Sequence, residues 1–374
     1  MKEKEEPIRI LQCVNDMHRA GLETMLMNYY RNIDRDKIQF DFLTHRPYKS
    51  DYDGEIIKLG GRVYYAPRLY PQNYPKYFKW MKEFFLEHPE YKIVHSHIDA
   101  MSYIPLLAAK KNNIPIRIAH SHSTSIDKDF KYLLKQYYRM KINKVSTHNL
   151  ACGYEAGKFL FKGRKFKIIS NAVDASKFYY VEKIRKLKRK ELNIDDEFVV
   201  GHIGRICYPK NHKFLIDIFE EIIRIYSKSK LLIVGMGEKE EEIKEYVKSK
   251  SLEEKIKFLG SRNDVSELYQ AMDVFVLPSL FEGIPLVGIE AQFSDLPCFF
   301  SDRVPKEAKF NEKTKFVSLD NSPFEWAQEI IKVKDLKRVN KRNDAIDNNY
   351  DIKNTHKVLE NFYFDLYKSI MEDK

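Results

Sequence analysis

Short β-branched or apolar runs alternate with longer amphipathic stretches along this chain, and that alternation constrains its fold more than any other feature. In the first half "IRILQCV", "FDFLTH", "IVHSH", "IRIAHSH", "HNLAC" and "FKIIS" read as strands. Between them "ETMLMNYYRNI", "YFKWMKEFFLE", "MSYIPLLAAKK" and "FKYLLKQYYRMKIN" have helical spacing. Strand-helix alternation predicts a mostly parallel sheet with right-handed crossovers. After "ISNAVDASKF" the pattern restarts with "KIRKLKRKELNI" and "FVVGHIGR" and runs on through "KLLIVGMG", "KIKFLG", "VFVLPS" and "PCFFSD". A chain of 374 residues is long enough for two cores. The expected division is therefore 1–172 and 173–352, with the break near Asn171–Phe178, and 353–374 as an amphipathic helix packing back on the first domain.

Several classes are excluded. A hydrophobic content of 43% with 32% charged residues fits neither a collagenous nor a disordered chain. No apolar run reaches the ~18 residues needed to span a bilayer, and "MKEKEEPIRILQCVNDM" lacks a signal peptide's apolar core. The expectation is a cytoplasmic protein. Cys13, Cys152, Cys207 and Cys298 are far apart, without CxxC spacing, and read as free thiols.

Open α/β sheets bind ligands beyond the carboxyl ends of their strands, so the loops after strands carry the chemistry. The most informative is "PSLFEGIPLVGIEA", Pro278 to Ala291. Pro285 suits a helix start, which leaves Glu282 and Gly283 in a strand-to-helix loop. The free amides of Leu286 and Val287, just after Ile284 and Pro285, would form an anion site at the helix N-terminus. Glu290 lies on the face of Leu286 and Val287, near that positive end. A carboxylate among apolar residues needs hydrogen-bond donors, and a ribose diol offers two. Taken singly, either glutamate reads as a cap or a solvent-facing residue; the eight-residue spacing around Gly-Ile-Pro lifts the pair.

This segment resembles the Glu-x7-Glu signature of retaining glycosyltransferases of the GT-B fold, particularly glycosyltransferase family 4 and its exopolysaccharide or capsule members. "NAVDASKF", "GHIGRICYPKNHKFLIDIF", "LLIVGMGE", "KIKFLGSRNDVSELYQAMDVFVLPS" and "EAQFSDLPCFFSD" match the family in order. The resemblance implies two Rossmann-like domains facing across a cleft. It implies transfer from a nucleotide-diphosphate sugar, most often UDP-linked, to a glycan or polyprenyl-linked acceptor, with no metal and no cofactor. Arg205 and Lys210, beside Gly204, match the diphosphate pair; guanidinium supplies a planar fork and ammonium a mobile point charge. Gly235 would line the nucleotide site, Arg262 would lie near the base, and Gly21 would approach the phosphates. His120 matches the histidine that contacts the donor sugar, with His97, Asp99 and His122 on the acceptor side. Ala20, Ala172 and Asp295 stand where the family has glycine, which questions the local turns. In "LLIVGMGEKEEEI" Glu240 replaces the third glycine of a dinucleotide fingerprint, so NAD is not expected.

His95 and His97 end one strand and His120 and His122 another, so each pair projects to one side. Zinc is geometrically conceivable there, but no Cys or carboxylate cluster attends, and no metal is expected. Three Asp-x-Asp triplets, Asp34–Asp36, Asp51–Asp53 and Asp127–Asp129, read as turns and helix caps.

Charge is uneven: residues 1–172 carry 30 Lys+Arg against 18 Asp+Glu, and residues 173–374 carry 35 against 36. Two segments of the first half interleave basic and apolar residues. They are "KDFKYLLKQYYRMKINK", with Lys128, Lys131, Lys135, Arg139, Lys141 and Lys144, and "RLYPQNYPKYFKWMKEFF". Both suit an anionic membrane surface, where a lipid-linked acceptor would be presented. Basic pI alone also prompts a nucleic-acid binder, but no recognised motif accompanies it, and none is expected. A sugar-nucleotide epimerase or hydrolase on the same fold is the enzymatic rival.

Overall fold

The computed structural model describes residues 6–126, 131–340 and 349–372. They form two compact units, one built from residues 1–172 and 349–374 and the other from 173–348.

The first unit holds a seven-stranded parallel sheet: β1 (Ile8–Val14), β2 (Ile38–Thr44), β3 (Val63–Tyr65), β4 (Ile93–Ser96), β5 (Ile116–Ser121), β6 (His148–Ala151) and β7 (Lys167–Ile168). Their order is β3-β2-β1-β4-β5-β6-β7. Helices cover both faces, which is why the strands read as near-continuous apolar runs. Leu11, Cys13, Tyr77, Phe84 and Phe161 centre one core cluster. The order reverses between β1 and β4, and that is the switch point where ligands bind in such sheets.

Within this unit the helix Ile352–Glu372 packs on the helix Gly21–Asn32. It buries Ile352, Thr355, Leu359, Tyr363 and Leu366, spaced three or four apart along one face. The chain rejoins the first unit at residue 349, four residues before the expected boundary. Asp351 Oδ1 accepts from the Lys353 amide at 3.1 Å, and Ile352 is fully buried, so the helix is anchored from its first turn.

The second unit has a six-stranded parallel sheet: β8 (Phe198–Ile203), β9 (Ser229–Val234), β10 (Ile256–Phe258), β11 (Val274–Leu277), β12 (Cys298–Ser301) and β13 (Thr314–Val317). The order is β10-β9-β8-β11-β12-β13, with its switch point between β8 and β11. Leu215, Phe219, Val276, Phe299 and Trp326 lie in its core.

Neither alanine that stands for a glycine strains the chain. Ala20 is extended, at φ −132° and ψ 178°, where any residue fits. Ala172 has a negative φ and is buried, its carbonyl accepting from Asn28 Nδ2 at 3.0 Å. Asp295 does take the left-handed conformation, at φ +56°. Asp tolerates it better than most side chains, and here Lys313 Nζ at 2.6 Å and the Val339 amide at 2.7 Å hold the carboxylate.

One membrane candidate is corrected. The helix Tyr74–Glu87 turns Tyr77, Met81, Phe84 and Phe85 into the core, with Phe78 and Trp80 packed against it. Its aromatic face is spent on folding. The helix Tyr132–Lys141 differs: only Tyr138 is buried, while Leu133 is 81% exposed and Met140 57%. Lys128 and the triplet Asp127–Asp129 lie outside the described residues. The other triplets sit in turns and at a helix start: Asp34 Oδ1 accepts from the Asp36 amide, Asp51 Oδ2 from the Arg19 amide, and Asp53 opens a helix. Among the described residues no helix is long and apolar enough to cross a membrane.

Candidate active site

At the switch point of the second unit, β8 ends at Ile203 and passes into Gly204, Arg205 and a short turn, Tyr208–Lys210. Asn211 follows at φ +56°, and its Nδ2 donates to Pro278 O at 3.2 Å. The Leu280 amide donates to Pro209 O at 2.8 Å. These bonds tie the loop after β8 to the loop after β11. Across them Lys210 Nζ meets Glu282 Oε1 at 2.6 Å, and Ser279 Oγ donates to the same oxygen at 2.8 Å. Both side chains of the ion pair are largely buried, at 15% and 14% exposure. Arg205 is 70% exposed and paired with Glu238 at 3.0 Å.

Gly235, at φ +130°, and Gly237 complete this edge. A Cβ on Gly235 would lie 2.1 Å from Gly204 O, and one on Gly237 2.2 Å from Ile206 O. Only glycine lets the loop after β9 approach the loop after β8 so closely.

Beyond Gly283 and Ile284, Pro285 caps the helix Leu286–Phe293. This starts the helix one residue later than the sequence spacing predicts, and leaves the leading amides at Leu286 and Val287. Glu290 is buried in that helix. The Tyr269 hydroxyl lies 2.9 Å from both Glu290 Oε2 and Val287 O. Burial pushes the Glu290 carboxyl up to about 7, against the pull of the Tyr269 hydrogen bond. Arg262 lies elsewhere in the unit's bonding: its Nε and Nη2 grip Asp264 at 2.7 and 2.6 Å, in a cluster with Glu191. That fork is engaged by the protein itself.

At the switch point of the first unit four imidazoles gather. His95 Nε2 and His120 Nδ1 are 3.1 Å apart, and His97 Nδ1 and His122 Nε2 are 3.0 Å apart. The His95 and His120 planes are nearly parallel, at 4°, with centroids 5.2 Å apart, and the His97 and His122 planes are tilted by 33° at the same 5.2 Å. The two pairs lie against each other, His95 tilted over His97 with centroids at 4.0 Å and His120 stacked on His122 at 4.1 Å. His95, His97 and His120 bring one ring nitrogen each within 4.8 Å of one another. Because the facing nitrogens point at each other rather than at a shared centre, the arrangement supports hydrogen-bonded pairs over a ligand set. Burial, with help from neighbouring rings, holds His95, His97 and His120 well below the ordinary imidazole range. It brings His122 down to about 3. Burial thus favours the neutral form of all four.

Asp99 takes φ +46° after β4, and its Oδ1 accepts from the His122 amide at 2.7 Å. It joins the loops after β4 and β5. Gly21 opens its helix in uncrowded space, where a Cβ would meet nothing within 4 Å. Sequence reasoning missed Gln12, Tyr363, Ser279 and Tyr269. Gln12 leaves a trace, a polar residue inside "IRILQCV"; the others carry none.

Residues 183–352 match the family model described as Glycosyl transferases group 1, and residues 19–177 the one described as Glycosyltransferase Family 4. The chain is 33% identical over 335 residues to a putative glycosyltransferase, EpsF, of Bacillus subtilis, covering 87% of each chain. It is 30% identical over 229 residues to an Escherichia coli UDP-Gal:alpha-D-GlcNAc-diphosphoundecaprenol alpha-1,3-galactosyltransferase, covering 58% of this chain and 59% of that one. Among solved structures, Anabaena HepE in complex with UDP and glucose superposes with a TM-score of 0.79 at 16% identity, over 95% of this chain and 99% of that one. Two parallel-sheet Rossmann-like units, matched in turn by the two family models and by a relative along most of its length, identify the chain as a member of the GT-B glycosyltransferases.

Proposed function

We propose that this glycosyltransferase is a retaining enzyme of family 4 that moves a sugar from a UDP-sugar to a polyprenyl-linked or glycan acceptor in surface polysaccharide synthesis. The observation that carries the reading is the pairing of Lys210 with Glu282 at the mouth of a helix whose Glu290 is buried eight residues on. Lys210 and Arg205, which here hold Glu282 and Glu238, would turn to a diphosphate leaving group together with the amides of Leu286 and Val287 as negative charge develops on it. Glu290 accepts from the ribose hydroxyls, and Glu282 from hydroxyls of the sugar. His120 serves the sugar, and His97, Asp99 and His122 serve the acceptor.

In the reaction the bond from the anomeric carbon to the diphosphate oxygen breaks, and an acceptor oxygen bonds to that carbon on the same face. The departing phosphate takes the acceptor proton, so no separate protein base is required. The UDP donor and lipid-linked acceptor named for the Escherichia coli relative, and the UDP bound by HepE, support these choices. The exposed Leu133, Tyr137 and Met140, set among basic residues on one helix, support contact with an anionic membrane from the cytoplasmic side.

A thermal-shift comparison of UDP-, GDP-, ADP- and CDP-sugars tests the donor, since a ligand at 100 times its Kd stabilises by about 2.7 kcal/mol. Incubation of the best donor with and without an undecaprenyl-diphosphate sugar tests the reaction. Transfer that requires the acceptor supports the reading. Free sugar released at the same rate without acceptor, or an interconverted nucleotide sugar, overturns it in favour of a hydrolase or an epimerase.

A further inference from the structure

Gln12, in the middle of β1, connects the two imidazole pairs. Its Oε1 faces His97 Nε2 at 2.8 Å, and its Nε2 donates to the Tyr363 hydroxyl at 3.2 Å. Tyr363 comes from the helix Ile352–Glu372 and is fully buried. Its hydroxyl oxygen lies 2.6 Å from His95 Nδ1.

The protons in this circuit follow from what each group can offer. With the Gln12 oxygen on the side of His97, and an amide oxygen only accepting, the proton between the two belongs to His97 Nε2. A neutral imidazole has one N–H, which makes His97 Nδ1 an acceptor and His122 Nε2 the donor to it. On the other branch the Tyr363 oxygen accepts from Gln12, so its own proton is directed at His95 Nδ1. His95 then carries its proton on Nε2 and gives it to His120 Nδ1. His120 is left with its N–H at Nε2. That atom is buried and has no hydrogen-bond partner among the described residues. A buried N–H left unmatched is unfavourable unless a ligand or water meets it.

We propose that Tyr363 and Gln12 are positioning residues: through His95 they fix His120 as an Nε2–H donor, the form in which it would donate to a substrate hydroxyl. The inference rests on the reading above that His120 serves the sugar. It assigns the C-terminal helix a part in the chemistry, reached through one phenolic hydroxyl rather than through packing. The circuit has a sharp property. Turning the Gln12 amide end for end reverses the donor in all its contacts, and His120 Nε2 becomes a lone pair. Whichever group occupies position 12 therefore decides what His120 presents. An imidazole held in the wrong tautomer keeps its geometry and loses its function.

The decisive variant is Gln12→Glu. A carboxylate accepts from both His97 and Tyr363, so the Tyr363 proton turns to residue 12, and His95 and His120 must carry their protons on Nδ1. Long-range 1H–15N correlation spectra of protein labelled at histidine report each tautomer directly. The expected result is His95 and His120 as Nε2–H forms in the native chain and as Nδ1–H forms in Gln12→Glu. An unchanged His120 signature in Gln12→Glu, or an Nδ1–H His120 in the native chain, overturns the proposal.

Tyr363→Phe, which keeps the ring and its packing, is the second variant. It should lower kcat roughly tenfold with little change in KM for the donor, and should cost nothing further in a His120→Ala background. An equal loss in both backgrounds would mean a merely structural tyrosine and overturn the relay. Full turnover in His120→Ala alone would instead refute the role given to His120, while the spectra still decide whether the circuit exists.

Discussion

Lys210 Nζ lies 2.6 Å from Glu282 Oε1, and the pair bridges the loops that leave β8 and β11. The lysine proposed to receive the diphosphate is thus neutralised by the carboxylate proposed to receive the sugar. Glu282→Ala frees that charge, so the variant should bind UDP at least as tightly as the native protein while losing turnover. Lys210→Ala should lose both, UDP affinity by roughly 10- to 100-fold, the range of one charge-assisted hydrogen bond. Calorimetry with UDP and initial rates with the full donor separate the two outcomes. Weaker UDP binding in Glu282→Ala than in Lys210→Ala would contradict this division of labour.

Glu290 sets a pH dependence with a definite sign. Burial raises its carboxyl to about 7 in the folded protein, above the ordinary 4.5. The stability it contributes is complete below 4.5 and is lost as pH rises through 7. Ribose hydroxyls donate to the ionised form, so affinity for UDP-glucose should strengthen as pH rises toward about 7 and then level off. UDP-glucose is the suitable ligand because its diphosphate does not titrate in this range. In Glu290→Gln the profile should be flat and binding weaker throughout. An unaltered profile in that variant would remove Glu290 from the ribose contact.

Same-face displacement predicts the stereochemical outcome. The anomeric configuration of the donor should survive in the product linkage, read from the anomeric proton coupling by NMR. An inverted product would require a general base that the proposed mechanism omits.

Gly235 is held at φ +130° with its backbone against Gly204 O. Gly235→Ala brings a Cβ to 2.1 Å from that oxygen in a conformation alanine avoids. The cost should be about 2 kcal/mol or more, seen as a lower denaturation midpoint and as loss of UDP binding. Gly21→Ala, where no atom lies within 4 Å of the new Cβ, should leave stability nearly unchanged.

The helix Tyr132–Lys141 should carry the protein to anionic vesicles but not to neutral ones, with binding weakened by salt. Lys131 Nζ lies 4.0 Å from the Tyr70 ring and the Arg139 guanidinium 4.5 Å from the Phe159 ring, so part of the basic charge is held against the protein's own aromatics. The exposed Leu133 and Met140 then become the sharper probes. Leu133→Asp combined with Met140→Asp should abolish cosedimentation without lowering the melting temperature. Equal partitioning onto both vesicle types would refute electrostatic recruitment.

The two α/β units and the break near residue 172 are legible in the amino-acid order alone, because strand and helix periodicities are local and repeat along the chain. That order also marked the strand-end loops that hold Lys210 and Glu282 and the helix that holds Glu290, since the Gly-Ile-Pro between the glutamates signals a turn entering a helix. It did not reveal β3 or β13, edge strands whose residues are only partly buried and so leave a weak apolar signal. Nor did it separate the two basic, aromatic-rich helices. Composition is nearly the same in both, and only tertiary packing decides that Tyr77 and Phe84 join the core cluster of Leu11 and Val94 while Leu133 meets solvent. The histidine circuit lay furthest out of reach: Gln12 and Tyr363 are 351 residues apart, and their hydrogen bond exists only because the C-terminal helix returns to the first sheet. A hydrogen bond has a reach of about 3 Å and leaves no periodic trace, so tertiary structure alone could decide which way the imidazoles hold their protons.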